Sequence, residues 1–310
     1  MTESGKSHTY SKDRVRKVLS EILPKECLLE MEPLKKHTTF RIGGPADFFV
    51  RPNQMQQLAK IVAFCREHSV PYFLLGNGSN LCVSDEGYRG VMIQIFQNMS
   101  KLTIQGNRLI ADAGVLLSKA ANQAAEEGLT GMEFASGIPG TLGGAIVMNA
   151  GAYGGEMKDI VENVTVLTPE GELRRLSLQE LGFGYRTSCI EKEGMIVLSV
   201  ELLLSQGEKE EIRKTMEELR RRRIEKQPLE YPSAGSTFKR PEGYFAGKLI
   251  MDSGLRGYRC GDAMVSEKHC GFIVNAKDAT AAEVRQLIEE VQEKVFESFG
   301  VHLETEIKML

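Results

Sequence analysis

Residues 131–155 read GMEFASGIPGTLGGAIVMNAGAYGG and hold eight of the chain's 31 glycines. Glycine lets a backbone take positive φ, or lie against a ligand with no side chain between, at a cost in chain entropy. Phe134, Ile138, Leu142, Ile146, Val147 and Met148 are interleaved with these glycines, whereas flexible linkers are polar. The stretch therefore reads as packed: a tight backbone surface built around a flat or phosphorylated ligand.

Working outward, a second glycine-rich turn, Gly76-Asn77-Gly78-Ser79-Asn80, ends the apolar run Val70–Leu75. Such a turn at the end of a strand can present successive N–H groups as an anion nest. Its position is that of a dinucleotide pyrophosphate loop. The GxGxxG spacing is missing, however, and residues 81–85 look extended rather than helical, which argues against that fold. Asn53–His68 carries Met55, Leu58, Ile61, Val62 and Cys65 on one helical face. With strands at Ala46–Val50 and Val70–Leu75 it makes a β-α-β unit. Residues 95–205 are richer in strands. Leu102–Ala113 reads as a hairpin turning at Gly106-Asn107, Val161–Leu176 as two strands split by Pro169-Glu170-Gly171, and Met195–Leu204 as one more. One short helix, Leu116–Glu127, is stopped by Gly128.

The mixture is α+β. A charged helix follows at Glu208–Lys226, ending in four arginines whose plain reading is a solvated face favoured by the helix dipole. Then come a proline-bounded loop, Gln227–Pro241, and a helix opened by the capping box Thr280/Glu283. Alternating Val301, Leu303, Thr305 and Ile307 suggest a terminal strand over Val301–Leu310. The expected division is one lobe over 1–95, its first 12 residues disordered, a second over 96–206, and a smaller α+β domain over 207–310 whose last strand returns to the site.

A net charge of −3 gives no basic excess for a nucleic-acid partner, and no apolar run nears the ~18 residues of a membrane span. The N-terminus has no apolar signal core. Six scattered cysteines without CxxC pairs suggest reduced thiols, a cytoplasmic address and no structural metal. Monomer is the default expectation.

Several segments, taken jointly, resemble one family. HTTFRIGGPA (37–46), LGNGSNLCVSDEGYRG (75–90), GLTGMEFASGIPGTLGGAIVMNAGAYGGEM (128–157), GYRTS (184–188), PSAGSTFKRP (232–241) and LETEI (303–307) resemble the motifs of the UDP-N-acetylenolpyruvoylglucosamine reductase family, flavoenzymes of peptidoglycan precursor synthesis. No long insertion separates Arg186 from Ser236, so the shorter subclass fits. The resemblance implies an FAD-binding fold of the vanillyl-alcohol-oxidase (PCMH) type in two lobes, with a third domain closing over a UDP-sugar. It places non-covalent FAD on Leu75, Gly76, Asn77, Gly78, Ser79, Asn80 and Leu81, and on Ser136, Gly137, Ile138, Pro139, Gly140, Gly143, Gly144, Ala145 and Asn149. That explains why two remote glycine segments are needed and why neither obeys the dinucleotide fingerprint.

The resemblance also implies a mechanism. NADPH reduces FAD and leaves, and the enolpyruvyl ether then receives hydride from flavin N5 at its methylene carbon. Arg186 would face the substrate carboxylate, since a guanidinium matches it bidentately. Ser236 would protonate the adjacent carbon. Glu306 would polarise the carboxylate or orient a proton relay. Tyr185, Arg223 and Lys239 are further candidates for substrate anions. Each has a plainer reading: a serine after glycine caps backbone, an arginine after tyrosine sits on the surface, and Glu304 and Glu306 share a solvent-facing strand face. An oxidase of the same flavin fold is the alternative, although the histidine expected for covalent attachment is absent from Leu75–Gly90. A sensor that binds without turnover is another.

Overall fold

The fold is known from a computed structural model, which describes residues 10–310. The first lobe comprises α1 (Lys12–Ile22), β1 (Leu28–Pro33), β2 (Pro45–Val50), α2 (Met55–Glu67), β3 (Tyr72–Leu75), β4 (Leu81–Cys82) and β5 (Tyr88–Gln94). Its sheet has the order β1-β2-β5-β3, with β2, β5 and β3 parallel and β1 an antiparallel edge. Phe48, Phe49, Val50, Val91, Met92 and Ile93 are buried on both faces, which is why these strands read as unbroken apolar runs. Asp47 is buried among them and accepts from Tyr10 Oη at 2.6 Å and Lys12 Nζ at 2.9 Å. Residues 10–12 are thus anchored rather than frayed; residues 1–9 of the expected disordered terminus lie outside the described residues.

The second lobe comprises β6 (Leu102–Gln105), β7 (Arg108–Asp112), α3 (Leu117–Glu126), β8 (Leu129–Thr130), α4 (Leu142–Val147), β9 (Gly151–Ala152), β10 (Gly155–Glu156), β11 (Val161–Leu167), β12 (Leu173–Ser177), α5 (Cys189–Lys192), β13 (Ile196–Leu203), β14 (Ser205–Gln206) and α6 (Lys209–Lys226). Its main sheet, β12-β11-β13-β7-β6, is wholly antiparallel. The first 3.6-period surprise is α4, a helix inside the glycine stretch, capped by Thr141 Oγ1 accepting from Gly144 N. α6 was expected to open the third domain. It lies instead against α3 and residues 133–135, so the charged helix belongs to the second lobe. One continuous core joins both lobes, from Val15 to Leu204.

The last unit holds α7 (Ala246–Asp252), β15 (Arg259–Cys260), β16 (Ala263–Val265), β17 (Ile273–Asn275), α8 (Ala281–Phe299) and β18 (Lys308–Met309). α8 presents Val284, Leu287, Ile288, Val291 and Val295 to a second core, which also receives Phe40, Ile42 and Cys82 from the first lobe. The Thr280/Glu283 capping box is formed, and Gly300 closes the helix at φ 66°. Asp85 of the first lobe adds a second cap, accepting from Ala281 N at 2.8 Å and Ala282 N at 3.0 Å.

The expected terminal strand is shorter than its alternation suggests. Only β18 forms a ladder, parallel to β4, and Thr305 makes a single bridge to Phe238. Among the described residues no helix is long and apolar enough to cross a membrane.

Candidate active site

Residues 75–81 form one wall of a cleft of about 380 Å³. The turn owes its shape to backbone approaches that only glycine permits. A Cβ on Gly78, at φ 63°, would stand 2.2 Å from His37 O, and one on Gly76 would stand 2.5 Å from Thr141 Oγ1. Thr39 N donates to Gly78 O at 3.1 Å, and Thr39 Oγ1 donates to Ser233 O at 2.7 Å. The HTTF segment therefore ties the glycine turn to the proline-bounded loop.

The opposite wall is Ile138, Gly140, Thr141, Gly144 and Ala145. Cβ atoms on Gly140 and Gly144 would meet nothing nearer than 3.7 Å and 3.6 Å, whereas one on Gly143 would meet Ala113 Cβ at 2.8 Å. Gly140 and Gly144 thus keep the cleft open, and Gly143 serves packing. Asn149 is buried at positive φ and holds chain to chain: its Nδ2 donates to Glu156 Oε2 and to Gly184 O. Ser136, Gly137 and Pro139 line a different cavity with Arg223, whose guanidinium pKa is pushed down by burial. Of the cofactor residues expected from sequence, the cleft gathers 75–81, Ile138, Gly140, Gly144 and Ala145; it does not gather Ser136, Gly137, Pro139, Gly143 or Asn149.

Arg186 sits on a two-residue turn, with Gly184 N donating to Thr187 O at 3.0 Å. It adopts φ 54°, a left-handed conformation that non-glycine residues take at a cost of about 1–3 kcal/mol. The turn is held by Asn149 on Gly184 O at 3.1 Å, and Ser188 Oγ donates to Val147 O at 2.7 Å. Its reward is direction: Arg186 Nε donates to Glu306 Oε1 at 2.8 Å and Nη2 to Gly151 O at 3.3 Å.

Glu306 comes from the terminal segment, where Glu306 N donates to Thr237 O at 2.8 Å, and Asn80 Nδ2 donates to Glu306 O at 3.1 Å. One residue thereby joins the Ser236 loop to the glycine turn. Its carboxylate is only 10% exposed. Burial raises its pKa above the ordinary carboxylate range, outweighing the opposing pull of Arg186 and Lys239. Glu304, expected on the same face, points away and pairs with Lys239 Nζ at 3.1 Å, because a single bridge does not impose strand alternation.

Ser236 follows Gly235, whose φ of 82° lays the loop against Ser79 O. Arg186, Ser236 and Glu306 line a second cavity of about 390 Å³, and Arg186 with Glu306 also lines the glycine-walled cleft. The ion pair is the partition between two spaces. Tyr185 lines the second cavity and Lys239 the cleft; Arg223 lines neither.

Sequence reasoning missed most of the second cavity's lining: Arg240, Lys248, Arg256, Lys268 and His269. Arg240 lies over the Phe245 ring at 3.9 Å, with its backbone N donating to Tyr185 Oη at 3.1 Å. Lys248 pairs with Asp252 at 2.8 Å. Lys248 stands on α7, and Arg240, Arg256, Lys268 and His269 stand singly on the loops and turns around it, so no periodic pattern marked them. Chemically, the cavity offers cations, a hydroxyl and a buried carboxyl whose pKa burial raises.

Comparison with known proteins adds to this geometry. The family described as "UDP-N-acetylenolpyruvoylglucosamine reductase, C-terminal domain" matches residues 227–310, and an FAD binding domain matches residues 46–177. The UDP-N-acetylenolpyruvoylglucosamine reductase of Alkaliphilus oremlandii is 54% identical over 294 residues, 95% of this chain and 97% of that protein. That of Clostridioides difficile is 51% identical, over 94% of this chain and 96% of its own. The crystal structure of the Thermus caldophilus reductase superposes with a TM-score of 0.79 at 40% identity, over 90% of this chain and 98% of that one.

Proposed function

Since this chain belongs to the UDP-N-acetylenolpyruvoylglucosamine reductase family, we propose how its residues divide the reduction of the enolpyruvyl sugar nucleotide between them. The chain is an FAD-dependent oxidoreductase of peptidoglycan synthesis, its flavin fold of the vanillyl-alcohol-oxidase (PCMH) type in two lobes with a smaller C-terminal α+β unit. The glycine-walled cleft suits FAD: Gly140 and Gly144 leave a cradle that side chains would fill, and residues 75–81 bring a row of backbone groups to its edge. When bound, FAD supplies the hydride chemistry that no side chain here can perform.

Arg186 holds the substrate carboxylate and, fixed in place beforehand, opposes the charge that accumulates there. Ser236 gives its Oγ proton to the carbon bearing that carboxylate. Glu306 keeps Arg186 aimed through the Nε–Oε1 bond of 2.8 Å. The basic lining from Arg240, Lys248, Arg256 and Lys268 suits a diphosphate, a group common to NADPH and to the UDP-sugar. One cavity then receives both in turn. The protein acts in the cytoplasm as a monomer in this reading, and NADPH is its reductant.

The observation that carries the proposal is convergence: side chains 50 and 70 residues apart in sequence, Arg186, Ser236 and Glu306, line one cavity beside the cofactor cleft. The test is a two-step absorbance experiment. NADPH should bleach the flavin bands and the enolpyruvyl sugar nucleotide should restore them. Ser236→Ala should slow the second step by about 10²–10⁴-fold, the usual range for losing a positioned acid, and leave the first intact. Equal loss in both steps would remove serine from the role.

A further inference from the structure

His269 lines the same cavity as Arg186, Ser236 and Glu306. Its backbone is fixed by Ser266, whose Oγ accepts from His269 N at 3.2 Å. Its ring is fixed three times. Gly271 N donates to Nδ1 at 3.1 Å. Phe272 meets it edge-on, with centroids 5.1 Å apart. A Cβ on Gly247 or Gly271 would stand 3.2 Å or 2.9 Å from Cε1, so two glycines have been left bare for the imidazole to nest.

These contacts settle the tautomer. A Nδ1 that accepts from a backbone N–H carries no proton, so the neutral ring carries it on Nε2. Nδ1 and Cε1 face the nest, which leaves the Nε2 edge for the cavity. The ring also has reason to stay neutral. Burial disfavours the imidazolium and lowers its pKa, and a cavity lined by Arg186, Arg240, Lys248, Arg256 and Lys268 is no place to add another cation.

We propose that His269 is a substrate-binding residue, a neutral imidazole presenting its Nε2–H to an acceptor oxygen of the bound substrate. Unlike a lysine, this donor has its direction set by a nest of its own, two glycines and the Gly271 N–H. It therefore contributes selectivity for where an oxygen lies, not for how much charge it bears. The inference rests on the functional reading above.

Three variants separate binding from a purely structural role. The amide of Asn overlays Nδ1 and can keep the bond from Gly271 N, while the amide of Gln overlays Nε2 and can keep the outward donor. His269→Ala and His269→Asn should each weaken binding of the enolpyruvyl sugar nucleotide to the oxidised holoenzyme about tenfold, read from the flavin spectrum. His269→Gln should stay within about threefold of the wild type. FAD content and Tm of each variant report whether it folds. The same titration with UDP shows which part is held: an equal loss assigns the contact to the uridine diphosphate, and a loss confined to the full substrate assigns it to the enolpyruvyl or sugar oxygens. Unchanged binding in His269→Ala, or Asn and Gln variants that behave alike, would overturn the proposal. So would nitrogen NMR of the wild type showing a proton on Nδ1. A wild-type holoenzyme whose flavin ignores the sugar nucleotide would instead sink the functional reading.

Discussion

Glu306 is the residue on which the site's electrostatics turn. Its carboxyl is 10% exposed yet lies 2.8 Å from a guanidinium, and burial still wins, holding the pKa above the ordinary value. The folded state thus binds this proton more tightly than the unfolded chain does. The corresponding stability is fully present below the unfolded value of about 4.3 and is lost as pH rises through the folded pKa. In Glu306→Gln that increment cannot titrate. The stability of the FAD-free wild type, measured relative to this variant, should therefore decline as pH is raised from about 4 toward neutrality. A difference that stays flat, or grows with pH, would mean the Arg186 pairing outweighs burial after all.

At the level of elements, α4 shows what a pattern in sequence conceals. Six residues, LGGAIV, make a helix despite two central glycines, each unfavourable by about 1 kcal/mol relative to alanine. The two are bare for opposite reasons, and substitution tells them apart. Gly143→Ala puts a methyl 2.8 Å from Ala113 Cβ and should cost about 1–3 kcal/mol by overpacking, lowering Tm. Gly144→Ala meets only Thr141 Oγ1 at 3.6 Å, so Tm should hold or rise while FAD is retained less well. Similar FAD loss in both variants would deny that Gly144 walls the cofactor cleft. The glycine density was legible as a packed backbone surface, but the helix was not, because its apolar residues are too few for a period to register. The capping box of α8 was legible because Thr280 and Glu283 act locally. The terminal strand was overread, since Val301–Thr305 alternates without a neighbouring strand to pair with. That Arg186, Ser236 and Glu306 line one cavity agrees with their motifs; the presence there of His269 and the basic lining was not legible, because these residues stand singly on α7 and the loops around it.

Across the whole molecule, the third unit is fastened rather than hung. Phe40 and Ile42 sit in its core, Asp85 caps α8, and β18 pairs with β4. Leu310 N donates to Cys82 O at 3.0 Å and Lys308 N to Asn80 O at 3.0 Å, so the last residues brace the strand that follows the glycine turn. Deleting residues 308–310 leaves Glu306 in the chain but removes that brace. The purified protein should then carry less FAD and melt earlier, while the continuous core of the two lobes keeps its far-ultraviolet circular dichroism. Undiminished FAD in the shortened protein would show that the brace is dispensable.

The Arg186–Glu306 partition belongs to both spaces at once. If the cleft holds FAD as proposed, a molecule that enters on one side presses on side chains that the flavin on the other side would also meet. The protein therefore carries its own optical gauge, and the colour of the holoenzyme should register an arriving molecule without any label, including compounds that merely block the door.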